Sequence, residues 1–127
     1  MLSIFKKKPA PTLNGLFLLN MHIGRGSNSE MPANLAGAYV GVFIGAPDPN
    51  GALVQAVTEL RRRGYEFIDL SDGKIHQLDP MQWDTYVQNA WPEFPNHFPR
   101  RTEVIAGLSS PSWVFFGPFA GYEPQRA

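Results

Sequence analysis

The stretch that decides the fold runs from Asp48 to Trp91: DPNGALVQAVTELRRRGYEFIDLSDGKIHQLDPMQWDTYVQNAW. It opens with Asp48-Pro49, a start signal for a helix. The aspartate accepts from free backbone amides, and the proline occupies the first helical position, where a missing N–H costs nothing. Leu53, Val54, Val57 and Leu60 recur at helical spacing and predict the buried stripe. Arg61, Arg62 and Arg63 place positive charge at the negative end of the helix dipole, and Gly64 supplies the left-handed stop. Tyr65 to Leu70 then predicts a strand, Asp72-Gly73 a type I′ hairpin turn, and Lys74 to Leu78 the returning strand. Asp79-Pro80 repeats the helix start. Trp83, Tyr86, Val87, Ala90 and Trp91 form the apolar stripe of a second helix over Met81 to Trp91, which Pro92 ends.

Outward from this stretch, the upstream chain predicts two strands. In Leu16 to Ile23, Phe17, Leu19, Met21 and Ile23 alternate with Leu18, Asn20 and His22, so one face is apolar and the other turns polar. In Ala38 to Ala46, Val40, Val42 and Ile44 share one face and Tyr39, Gly41, Phe43 and Gly45 the other. The glycines suggest close approach of another element. Gly24 to Asn34 is a loop by composition. Downstream, Thr102 to Leu108 and Trp113 to Phe119 predict two final strands around Ser109-Ser110-Pro111. The expectation is a single α+β domain over residues 1–127, with about six mainly antiparallel strands and two helices in the order ββαββαββ, the helices on one face. Residues 1–12 and 121–127 are expected to be flexible ends.

Composition narrows the chemistry. The 127 residues fit one domain, and 43% hydrophobic with 17% charged residues describes an ordinary globular chain. Eleven basic residues balance eleven acidic ones, so no overall field draws the chain to nucleic acid or membrane. The absence of cysteine excludes disulfides, thiolate metal sites and a cysteine nucleophile. No stretch approaches the length of a membrane span. Lys6-Lys7-Lys8 is followed by an apolar run broken by Asn14, Gly15, Asn20 and His22, so no secretory signal is expected. A cytoplasmic location fits these features.

His22, His76 and His97 lack the spacing of a metal site, and neither a metal nor a cofactor is expected. His22 and His76 fall on polar strand faces. As surface or hydrogen-bonded histidines they need no function. As a general base, either would need strand pairing to bring it to Asp69 or Asp72. The Gly24–Ser29 loop (GRGSNS) offers an anion-binding nest or a plain flexible loop. From Glu66 to Glu93 the charge is acidic: Glu66, Asp69, Asp72, Asp79, Asp84 and Glu93 against Lys74. Such a run is either a solvated face or a surface for a basic partner. Trp91, Phe94, His97 and Phe98, set among prolines, form either a lid on the core or a rigid binding surface.

With its MLSIFKKKP start, its acidic middle (EFIDLSDGKIHQLDP) and its proline-aromatic loop (WPEFPNHFP), the chain resembles the small, cysteine-free α+β immunity proteins with which bacteria neutralise antibacterial toxins. The resemblance implies a non-enzymatic inhibitor that binds one toxin domain and blocks its active site or its substrate's approach, with no cofactor. On that view Asp69, Asp72, Asp84 and Glu93 supply charge against a cationic cleft, and Trp91, Phe94 and Phe98 supply anchors. Two other classes stay open. One is a small ligand-binding or enzymatic domain using His22, His76 and the Gly24–Ser29 loop. The other is a homodimer formed through an open sheet edge.

Overall fold

The computed structural model describes residues 13–124. The expectations for residues 1–12, and for the last residues beyond 124, lie outside that range. The fold is α+β: one antiparallel sheet of four strands in the order β3-β1-β2-β4, with helices on both faces. The strands are β1 (Gly15–Gly24), β2 (Gly37–Ala46), β3 (Glu66–Leu78) and β4 (Trp113–Tyr122). Helix α1 (Pro49–Arg62) links β2 to β3 across one face. A short 3-10 turn (Pro80–Gln82), α2 (Trp83–Ala90) and α3 (Arg101–Leu108) lead from β3 across the other face to β4.

Several local signals act as expected. The Asp48 carboxylate accepts from the Gly51 N–H at 2.6 Å, and Gly64 leaves α1 at φ 86°. Asp79 accepts from the Met81 N–H at 3.0 Å at the second start. Strands β1 and β2 pair in register from Gly15↔Ala46 to Gly24↔Gly37, so their two apolar faces coincide. Phe17, Leu19, Met21 and Ile23 join Val40, Val42 and Ile44 under Ala52, Ala56 and Leu60 of α1. Within the expected α1 stripe, Leu60 is fully buried and Leu53 and Val57 are half-buried, but Val54 is 65% exposed. The small Ala52 and Ala56 take the central contact instead, which lets the helix sit close to the sheet.

Other expectations are corrected. The sheet has four strands, not six, and its helices flank it on both faces. Asp72-Gly73 does not turn a hairpin. A type I′ turn needs positive φ at both central residues, and here only Gly73 has it, at 69°. The chain bulges out over Ser71 to Lys74 and continues along β1, pairing Leu70 with Met21 before the bulge and Ile75 with Leu19 after it. The Asp72 carboxylate accepts from the Lys74 N–H and the Asn20 side-chain amide, and so holds the bulge where it would have held a turn. Thr102 to Leu108 is helix, not strand. Its β-branched residues favour extension, but Glu103 accepts from the Arg100 N–H at 2.9 Å, and Val104 and Leu108, four residues apart, are both buried against the sheet. Strand β4 runs on through Gly121 and Tyr122, paired with Ala38 and Gly37, where a flexible end was expected.

Candidate functional site

The face of the sheet away from α1 changes character along its length. At one end Leu16, Leu18 and Phe43 lie beneath Trp83 of α2 and Val104 and Leu108 of α3. Trp83 is 1% exposed, and its indole N–H donates to the Pro99 carbonyl at 2.9 Å. At the other end the same strands present Asn20, His22, Tyr39 and Gly41, with Tyr122 of β4 beside them, and among the described residues no helix covers them. The cause is the alternation of β1, which goes from leucine to asparagine and histidine on this face.

Strand pairing brings the polar residues of this open half together. His22 lies opposite Asp69 across β1 and β3, with Nδ1 3.5 Å from the carboxylate. Its Nε2 meets the Tyr122 hydroxyl at 2.5 Å. The Tyr39 ring stacks on the imidazole at 4.7 Å. Closer to the bulge, His76 Nε2 lies 2.6 Å from Asp72, which also accepts from Asn20 at 3.1 Å. The His76 bond, with further help from Asn20 and the Lys74 N–H, holds the Asp72 carboxyl down at about 2. Asp72 is therefore a fixed negative charge at any ordinary pH.

Two clefts meet at Trp91. One, of about 420 Å³, is a groove between α2 and the loop that follows it. Its walls include Trp83, Asp84, Val87, Trp91, Phe98 and Arg100. The other, of about 190 Å³, lies on the open half of the sheet over Asn20 and Gly41, with Tyr39, Ser71, Trp91, Pro118 and Ala120 around it. Trp91 is half-buried, packs edge-on against Phe94 at 6.1 Å and lies 5.9 Å from Phe98. Among the described residues its buried indole N–H makes no regular hydrogen bond. Burial pushes the Tyr86 phenol on α2 up, more than the nearby Trp91 indole lowers it.

The residues singled out in the sequence divide around this tryptophan. Asp69 and Asp72 lie on the sheet side, in edge strand β3. Asp84 and Phe98 line the groove, Glu93 is exposed in the loop beyond α2, and Phe94 is 43% exposed. The aromatic loop acts in part as the expected lid on the core. Phe98 packs on the core beside Phe43 and Phe115, and His97 bonds the Phe116 carbonyl at 3.1 Å, while Phe94 faces outward. Among the described residues, Asp84 and Glu93 have no ion-pair partner.

The histidine site divides differently. His22 and His76 each find an aspartate, but as separate pairs, and neither lines the cleft over Asn20 and Gly41. The Gly24–Ser29 loop is structural. Gly26, at φ 54°, lies against the Gly64 carbonyl, the Ser27 N–H donates to that carbonyl at 2.8 Å, and Asn28 N–H donates to Arg25 at 3.0 Å. Arg25 reaches forward to the carbonyls of Met31, Pro32 and Leu35. These amides are committed to the fold and form no anion nest. Among the described residues, no group of three or more His, Cys, Asp or Glu is placed to hold a metal, and no helix is long and apolar enough to cross a membrane.

Tyr39 and Tyr122 went unmarked in the sequence. Their one signal was the polar face of β1, on which both converge from β2 and β4. The chain matches no family model, and neither the curated proteins nor the solved structures yield a match.

Proposed function

We propose that the protein is a non-enzymatic binding module that captures a basic partner protein, in the manner of a cytoplasmic immunity protein that occludes a toxin's active site. One observation carries the reading: Trp91 is the wall common to an open aromatic groove lined by Asp84 and a second cleft over Asn20 and Gly41, whose Asn20 side chain bonds Asp72. A half-buried tryptophan in a proline-stiffened loop makes a low-entropy anchor. Exposed carboxylates without cationic partners favour a positively charged surface and speed its approach. The enzymatic alternative is weaker, because its loop is committed to holding the end of α1.

Co-expression with the product of a neighbouring gene, followed by affinity measurement, tests the reading. A stable complex is expected. Reversing Glu93 and Asp84 to lysine should weaken it at least about tenfold, or about 1.4 kcal/mol. Asp72 is left out of this test because it holds the bulge. Unchanged affinity would sink the assigned surface, and failure to form any complex would sink the reading.

A further inference from the structure

We propose that the cleft over Asn20 and Gly41 receives an arginine side chain of the partner. This rests on the partner-binding reading and gives it a chemical address.

The cleft is a product of the sheet's register. Asn20 and Gly41 are direct partners across β1 and β2. Both edge strands break their pairing at this level: β3 opposite Asn20, through Ser71 to Lys74, and β4 opposite Gly41, through Gly117-Pro118. Bulges on both sides push the edges away from one transverse line, and glycine leaves its floor bare. The walls are flat. Tyr39, 45% exposed, Trp91 and Pro118 frame a space of about 190 Å³.

The polar groups select the occupant. Asn20 gives its side-chain N–H to Asp72, and among the described residues its amide oxygen makes no hydrogen bond. That oxygen lies 3.7 Å from where a Gly41 Cβ would stand, so it overhangs the cleft floor. The Ser71 hydroxyl donates to the Asn20 carbonyl. The cleft therefore offers an acceptor to its occupant, with the Asp72 carboxylate one hydrogen bond behind it. Lys74 in the same bulge is the opposing charge, while His76 bonds Asp72 and His22 lies 3.5 Å from Asp69. No cationic side chain lines the cleft, so phosphate or carboxylate ligands find no countercharge there. A guanidinium is planar, carries donors only and stacks on aromatic faces, and these properties match flat walls better than the compact ammonium of lysine does.

The test is an NMR titration of the intact protein with N-acetyl-argininamide, N-acetyl-lysinamide and adenosine, read at the Asn20 side-chain amide and the Gly41 backbone amide. Saturable shifts are expected with the arginine probe, with lysine binding at least about fivefold weaker. Tyr39→Ala, at an exposed position, should abolish them. Gly41→Val, which fills the floor but crowds Leu18, should do the same. Arg61→Ala, exposed on α1 across the other face of the sheet, should leave them unchanged. The proposal is overturned by no saturable shift up to ~50 mM probe, a range that covers weak single-residue binding. Equal response to lysine, stronger response to adenosine, or persistence in Tyr39→Ala would overturn it equally. Any of these results leaves the partner-binding reading intact, because that reading is judged by Asp84 and Glu93 in the complex.

Discussion

The two faces of the sheet are made by the same strands and end differently. Under α1 the apolar set runs the whole length of β1 and β2, from Phe17 to Ile23 and from Val40 to Ile44. On the other face the apolar set stops after Leu18 and Phe43, and the helices stop with it. One face is therefore filled, while the other is half core and half polar surface. What differs is only which residue each alternate position carries, since a strand sends successive side chains to opposite sides.

The largest expected effect comes from asking whether the half-covered face is as integral to the fold as the filled one. Trp83 is its keystone, packed edge-on against Phe43 at 5.2 Å. Trp83→Ala should cost about 3–5 kcal/mol in chemical denaturation, as for other buried aromatics. A single transition is expected, because β1 and β2 contribute to both faces. A second, separate transition in Trp83→Ala, with α1 and its strands still folded, would break the symmetry of the two half-cores.

A smaller effect compares the glycines at either side. Gly26, at φ 54°, lies against the Gly64 carbonyl beside the end of α1. Gly73, at φ 69°, has nothing within 4 Å of where an alanine methyl would stand. Gly26→Ala should cost about 2 kcal/mol or more, from both strain and contact. Gly73→Ala should cost only the strain, about 1 kcal/mol. Equal costs by thermal melting would show that the bulge beside the open half is as tightly packed as the loop against α1.

The sequence carried the filled face well and the open half poorly, for physical reasons. Asp48-Pro49 and Gly64 act within one turn of chain, and the alternation of β1 and β2 needs only a strand to express it. Asp72-Gly73 was ambiguous, because positive φ at a glycine serves a bulge as well as a turn, and only the partner strand decides which. Thr102 to Leu108 was read as a strand, but Val104 and Leu108, four residues apart, are buried together against the sheet, a spacing that suits the helix. At the site, Asp69, Asp84, Trp91 and Glu93 stood out by charge and loop chemistry. Tyr122 did not, because its partner His22 lies 100 residues away in sequence and is joined to it only by pairing across β2.

That long-range bond supplies the next comparison. Tyr122→Phe removes the hydroxyl that meets His22 and leaves the ring packing in place. A loss of about 1 kcal/mol is expected in thermal or chemical unfolding, the usual worth of one hydrogen bond. A loss as large as that of Trp83→Ala would mean that the open half is held together as strongly as the half-core beside it, which partly exposed polar contacts should not achieve.

The smallest effect isolates charge on the open half. His76 beside Asp72 lowers that carboxyl from its ordinary 3.8 to about 2, so the folded state holds it ionised more readily than the unfolded chain does. A depressed carboxyl contributes stability that is complete above about pH 4 and is lost as the pH falls toward 2. Both side chains are more than a third exposed, at 38% for His76 and 35% for Asp72, so solvent screening keeps the contribution to ~0.5 kcal/mol or less. Glu59 on α1, lowered to about 2 chiefly by its hydrogen bond to Arg62, titrates over the same range, so the acid limb alone does not identify Asp72. The difference between wild type and Asp72→Asn does: the variant should lose slightly less stability between pH 4 and 2 and be slightly weaker above it. Identical acid limbs would show that Asp72 is held by the geometry of the bulge and not by its charge.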